Sequence, residues 1–298
     1  MSVEKPQFTP QESAEGEVKT EFEAFFKDKS KKGQKEEPEE VKERKAELEQ
    51  KAVTLAQEAE RAFSSNDLTQ ALEKLRELQR TVGMEMVENR EQYEKFEQEF
   101  NRQIDNLSKK GFPKLAGMDE KKFAAIFEPL KEKLKELSSR EFQEGRIPFV
   151  VVPRDKLLAL EKQMPLVELE GKKGSTGFDD VSGYFTTAKG VEIPEAMAYL
   201  VVDIENGKVM LGKSADEAVK QFKKEGRSPL TADEGVALIL QHPEILKDHS
   251  LDLPGSRRGA DRVAGLWLYG GEPGLSWSSS DYSDARWGSA SCGSRVGP

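Results

Sequence analysis

The apolar pattern of this chain changes period once, and that change limits the folds open to it. Up to about Gly145 apolar residues recur at helical intervals between long stretches of Glu, Lys, Gln and Ala. At Ile147 the run IPFVVV begins, unbroken by a polar residue and stopped by Pro153, and Tyr199 to Ile204 (YLVVDI) repeats the pattern. Short β-rich runs of this kind are strands buried on both faces. The expected class is α+β: an N-terminal helical arm (a helical hairpin plus a long helix), then a mixed, partly antiparallel α+β domain. The expected divisions are a frayed acidic tail over 1–40, the arm over 41–145 and the α+β domain over 146–298. Hydrophobic residues make up 36% and charged residues 34% of the chain. The charge is concentrated in the first half, so the second half must supply the main core.

Residues 1–40 combine Pro6, Pro10 and Pro38 with charge runs and few apolar anchors. Phe22, Phe25 and Phe26 are spaced for one face of a short helix, either transient or docking into a partner's groove. Between Val41 and Gln79 two helices are expected. Leu48, Val53, Leu55 and Ala59 mark the first, and Leu68, Ala71, Leu72, Leu75 and Leu78 the second. The break lies at Ser64 to Asp67, where Asn66 or Asp67 can cap. The stretch AERAFSSNDLTQALEKLRELQ resembles one tetratricopeptide-type helical hairpin, present in a single copy. A long helix over Met84 to Leu107, with Met86, Tyr93, Phe96 and Phe100 as its buried stripe, should end at Gly111 and Pro113. Asp119 opens a further helix carrying Phe123, Ile126, Phe127, Leu130, Leu134 and Leu137, which Pro129 should kink or divide.

The second half alternates short elements. A helix over Lys156 to Gln163, a half-exposed strand at Val167 and Leu169, and a loop over Gly171 to Asp180 follow the first strand. Asn206-Gly207 is a hairpin signal leading into a strand at Val209 to Leu211. Ser214 with Glu217, and Thr231 with Glu234, have capping-box spacing and so open two helices. Strands are expected again at Val263 to Tyr269, Leu275 to Ser278 and Ala290 to Cys292.

Several classes of function are disfavoured. A net charge of −9 with a pI near 5.2 argues against nucleic acid as a partner, because phosphate contacts need a basic face. No apolar run approaches the roughly 20 residues of a membrane-spanning helix. The start lacks the basic and apolar regions of a secretory signal. A single cysteine forms no internal disulfide, in keeping with a reducing compartment, and a cytoplasmic location is expected.

The segments IPFVVVP, AYLVVDIENG, RSPLTADEGVALILQHPEIL, LPGSRRGADRVAGLWL and WGSASCGSR, in this order, resemble a bacterial family catalogued only as a domain of unknown function. The resemblance covers Ile147 to Gly297 and implies no activity, substrate or catalytic residue. The helical arm lies outside it.

The chemistry is concentrated after Ser250, where all three tryptophans, the only cysteine and a cluster of arginines fall together. Gly255-Ser256-Arg257-Arg258-Gly259 with Arg262 is the most suggestive group. Glycines on both sides let backbone N–H groups turn toward one centre, and guanidinium forks take carboxylate or phosphate bidentately. The alternative is internal pairing of these arginines with Asp252, Asp261 or Asp284. Trp277 and Trp287, set among Ser and Gly, are candidates for a surface pocket, whereas Trp267 belongs to an apolar run. Cys292 is the only thiol nucleophile and would need His242 or His249 as its base; otherwise it is a small buried hydrophobe. His242 and His249 match no zinc spacing, so no metal and no cofactor are expected.

Together these features favour a binding or interaction protein. Its C-terminal domain would hold a polar or anionic ligand at Ser256, Arg257, Arg258, Arg262, Trp277 and Trp287, and its helical arm would contact a protein partner. The alternatives are a Cys292-dependent hydrolase or transferase, and a structural oligomerisation protein built on the long helix.

Overall fold

The structure, a computed structural model, describes residues 39–65, 67–177, 181 and 183–298. The Phe22 to Phe26 pattern and Asn66 lie outside the described residues. The chain divides into two compact units, Met1–Glu85 and Met86–Pro298. The boundary drawn from composition at 145/146 falls inside the second.

Helix α1 (Glu39–Ser64) of the first unit is followed by α2 (Leu68–Lys109), which starts in that unit and ends in the second. Asp67 Oδ1 accepts the Gln70 N–H at 3.0 Å and so caps α2. Ala52, Leu55, Ala59 and Ala62 are buried on α1 and Ala71 on α2. Side chains this small let two helices lie close, and Lys74 reaches Glu58 across the gap at 2.8 Å. The helices expected over 68–79 and 84–107 are one continuous helix of 42 residues. Thr81-Val82-Gly83 lies inside it, since a single glycine costs a helix only about 1 kcal/mol.

In the second unit α2 stops at Gly111, whose φ is +85°. The one-turn α3 (Phe112–Leu115) and α4 (Glu120–Ser138) follow. Asp119 caps α4 as expected, accepting the Lys122 N–H at 2.8 Å. Pro129 does not divide α4. Phe123, Phe127, Leu130, Leu134 and Leu137 are all buried along it, and that packing outweighs the one backbone bond a proline removes.

The remaining elements in order are β1 (Ile147–Pro153), α5 (Leu160–Gln163), β2 (Glu168–Leu169), β3 (Lys172–Lys173), β4 (Ser175–Thr176), β5 (Thr186–Thr187) and β6 (Ala198–Glu205). Then come α6 (Ala215–Lys224), β7 (Ser228–Pro229), α7 (Ala232–Gln241), α8 (Ile245–Asp248), β8 (Ser250–Arg258), β9 (Arg262–Tyr269), β10 (Glu272–Ser279), β11 (Trp287–Ser289) and β12 (Ser291–Val296). One sheet runs β1-β6-β12-β7, and a second runs β11-β8-β9-β10-β4 with β5 against β8. The α+β class holds.

Helix α7 is the centre of this unit. Its sequence ADEGVALILQ is buried from Glu234 to Gln241, as an apolar helix must be when both sides are covered. It packs on β1 of the first sheet and on β8 and β9 of the second. Gly235 makes the close approach to β8 possible: a β-carbon there would sit 2.4 Å from Leu253. The far face of the first sheet is covered from the helical side, where Phe96 meets Phe149 with ring centroids 5.3 Å apart. Gln103, fully buried, closes the outer edge of β1 by donating to the Phe149 carbonyl at 3.2 Å and accepting the Val151 N–H at 2.8 Å. One amide side chain thereby stands in for a neighbouring strand.

Both capping boxes form, at Ser214/Glu217 and Thr231/Glu234. The hairpin expected after Asn206-Gly207 does not. Gly207 has the positive φ, +96°, but Lys208–Met210 is a single tight helical turn. Glu205 is the cause, because its carboxylate accepts both the Gly207 and Val209 N–H groups at 3.1 and 3.0 Å. Met210 is then buried with Ala218 and Phe222 of α6. The hairpin after Tyr269 turns on Gly270-Gly271 alone, with φ +60° and +84°, so β10 starts at Glu272.

Candidate functional site

The segment Gly255 to Arg258 is strand, so its backbone N–H groups do not turn toward one centre as expected. Its backbone groups are spent on neighbours: the Gly255 N–H donates to Leu230 O at 2.8 Å and its carbonyl accepts from Ala188 at 2.9 Å. The cluster is sorted by an irregularity in β8. Leu253 pairs with Ala264 and Arg257 with Val263, four residues along β8 against one along β9. Beyond it Arg257 faces the same way as Val263, toward α6, while Ser256 and Arg258 face the α7 side.

The three arginines therefore have different fates. Arg257 is internally paired: Nη2 donates to Asp216 Oδ1 at 2.6 Å and Nη1 to Ala260 O at 3.1 Å. The Asp216 carboxyl is held below the usual range despite partial burial, by Arg257 and by the Ser280 hydroxyl. Arg258 and Arg262 sit directly opposite each other across β8 and β9. The guanidinium carbon of Arg258 lies 3.6 Å from the centre of the Tyr184 ring, and that of Arg262 3.9 Å from the centre of the Trp277 ring. Neither makes an ion pair with a carboxylate among the described residues. The two arginines are paired across the strands, and each guanidinium lies over an aromatic ring, Tyr184 on the β5 side and Trp277 on the β10 side.

Trp287 is not part of this group. It packs against Trp267 on the opposite face of the sheet, ring centroids 5.4 Å apart, above Gly265. Asp252 shares that face and is almost fully buried. It accepts a short hydrogen bond from the Ser278 hydroxyl, and burial pushes its carboxyl up to about 6. Ser289, at the matching position of β11, is fully buried with no partner for its hydroxyl.

Cys292 and the two histidines are not brought together. The thiol is fully buried, and burial together with the nearby Glu234 carboxylate pushes it up to about 12. His249 Nε2 lies 2.9 Å from the Asn206 carbonyl, and His242 Nδ1 lies 3.4 Å from Glu244. Among the described residues no three His, Cys, Asp or Glu side chains are placed to hold a metal ion. No described helix is long and apolar enough to cross a membrane.

Beside the Arg258 face lies a cavity of about 90 Å³ at the N-terminus of α7, lined by Arg154, Asp155, Tyr199, Thr231, Asp233 and Ser256 among others. Ser256 Oγ accepts the Ala232 N–H at 2.8 Å, and Asp233 Oδ1 accepts the Asp155 N–H at 2.9 Å. Burial first, and the neighbouring Asp155 second, push the Asp233 carboxyl up to about 6. Behind the cavity, Tyr199 donates to Glu234 at 2.8 Å, and Glu234 is paired with Arg295 at 2.5 Å, both side chains almost fully enclosed. Arg227 binds Asp203 Oδ2 at 2.6 Å and the Ser291 hydroxyl at 2.9 Å, with Arg146 on the same aspartate at 2.8 Å. Asp203 has φ +57°, a strained position for a residue with a side chain. A β-carbon on Gly293 would lie 2.7 Å from its carboxylate, so only glycine fits there.

Composition missed Arg154, Asp155, Tyr184 and Asp233, because sequence alone does not show which loops close over which strand end. Asp203 was visible as the one charge in YLVVDI. The first unit has a wider groove of about 930 Å³, lined by Glu47, Lys51, Glu58, Lys74 and Glu77 among others, but its charges are partly paired with one another.

Over residues 106–298 the sequence matches a family of unknown function, DUF5701. The chain belongs to this family. The DUF5701 match begins at Asn106, within α2, so it takes in α4 and its phenylalanine face as well as the segment from Ile147 on. No curated protein matches the chain. No solved structure matches it.

Proposed function

We propose that this DUF5701 protein is a binding protein whose second unit holds a small anion between Arg258 and Arg262, and whose helical arm contacts a protein partner. The observation that carries the first part is the arginine pair itself. Like charges directly opposite on neighbouring strands cost stability, about 0.2–1 kcal/mol by the usual cross-strand scale. Here no carboxylate offsets that cost among the described residues. The rings of Tyr184 and Trp277 fix both forks in place by cation–π contact, so little side-chain freedom is lost when an anion arrives. Carboxylate or phosphate suits such a pair.

The second part rests on Leu68, Leu72 and Leu75 of α2. They recur along one helix face and are about half exposed, at 53%, 53% and 43%. The cysteine-dependent reading is not preferred, because an enclosed thiol held near 12 is a poor nucleophile at neutral pH.

The test is thermal melting of the full chain in inorganic phosphate or pyrophosphate at constant ionic strength. The wild type should be stabilised by a few degrees. Arg258→Ala with Arg262→Ala should lose that shift, while Arg257→Ala should keep it. Equal shifts in all three proteins would refute the anion site.

A further inference from the structure

The cavity at the start of α7 extends the anion site at the arginine pair, and its role as a ligand pocket rests on that site being real. We infer that the ligand is a zwitterion, its anionic end on Arg258 and Arg262 and a primary ammonium in the cavity against Asp233 and Asp155. The two places are adjacent along β8 and the segment before β5. Ser256 lines the cavity and shares a face with Arg258 two residues on, about 7 Å along a strand. Phe185 lines the cavity, and its neighbour Tyr184 lies beneath Arg258. A short aliphatic chain spans that separation.

Charge decides which end goes where. The cavity lining holds one cation, Arg154, and two carboxylates, Asp155 and Asp233, a net of −1. Arg154 is engaged with the Pro194 carbonyl at 3.3 Å. Glu234 is committed to Arg295 and Tyr199. Asp233 receives one backbone N–H on Oδ1 and is forced close to Asp155 in an enclosed place. A cation relieves both the burial and the repulsion. Among the described residues no third acidic, histidine or cysteine side chain joins these two carboxylates to form a protein-held metal site. An ammonium needs only two or three acceptors, and Thr231 offers a hydroxyl beside them. A volume of about 90 Å³ admits an aminoalkyl arm.

Titration calorimetry of the full chain with aminobutyl phosphate, butyl phosphate and inorganic phosphate is the test. The wild type should bind aminobutyl phosphate at least tenfold tighter than butyl phosphate. Asp233→Asn should erase that preference; Asp155→Asn, which keeps the backbone N–H to residue 233, should reduce it. Equal affinity of the wild type for the two alkyl phosphates, or a preference that survives Asp233→Asn, would overturn the zwitterion while leaving the arginine site intact. Failure of all three phosphates to bind would instead remove the arginine site, and this inference with it.

Discussion

Arg257 and Arg258 are adjacent in sequence, yet one is neutralised by Asp216 and the other lies on Tyr184 opposite a second cation. A few extra residues in β8 decide this, by setting which face each side chain takes. Asp252 shows the same sensitivity on the opposite face. Its carboxyl is held near 6 by burial, against an ordinary 3.8. The raised value fixes the sign. Below about 4 the group is neutral in both folded and unfolded chains and carries no penalty. As pH rises through the window from about 4 to 6 the unfolded chain ionises first, and stability is lost; above 6 the loss is complete, about 3 kcal/mol for a shift of this size. Asp252→Asn should therefore be more stable than the wild type at pH 7, with the difference shrinking toward zero near pH 4. Its amide can still accept from Ser278 and can donate toward Ser289, whose hydroxyl is otherwise unpartnered. Urea unfolding of both proteins across that range is the check. A difference that stayed constant across that range would mean that the Asp252 carboxyl titrates alike in the folded and unfolded chains.

The elements were legible wherever a local signal set them. Asp119, Ser214 and Thr231 start helices because their side chains satisfy N–H groups that the helix leaves open, and each does so here. Asn206-Gly207 misled because the competing partner, Glu205, is one residue outside the turn signal. The edge of β1 was illegible for a different reason: Gln103 reaches it from 46 residues away in sequence. In the first unit, the exposed leucines of α2 contribute little to the fold they sit on. Replacing Leu68, Leu72 and Leu75 together by Ser should change unfolding free energy by no more than about 0.5 kcal/mol per residue. Sedimentation should give the wild-type mass, as expected if the partner is a different protein. A fall in mass would assign these residues to self-association instead.

Across the whole molecule, the change of apolar period at Ile147 announced the α+β class correctly. It did not announce that helix α7 would lie between two sheets, nor that its N-terminus would meet β8 and the segment after β1 at one small cavity. Those juxtapositions depend on strand order, and strand order leaves no mark in a single sequence. The candidate site was half legible. Ser256, Arg258, Arg262 and Trp277 share a face, whereas Arg257 and Trp287 are turned to the other side of the sheet. The measurement that tests the site most directly is the nitrogen-15 spectrum of the arginine side chains during a phosphate titration. The Nε–H signals of Arg258 and Arg262 should move together and saturate, while those of Arg257 and Arg295, already bound to carboxylates, stay still. Movement of Arg257 with no response from Arg258 and Arg262 would contradict the account.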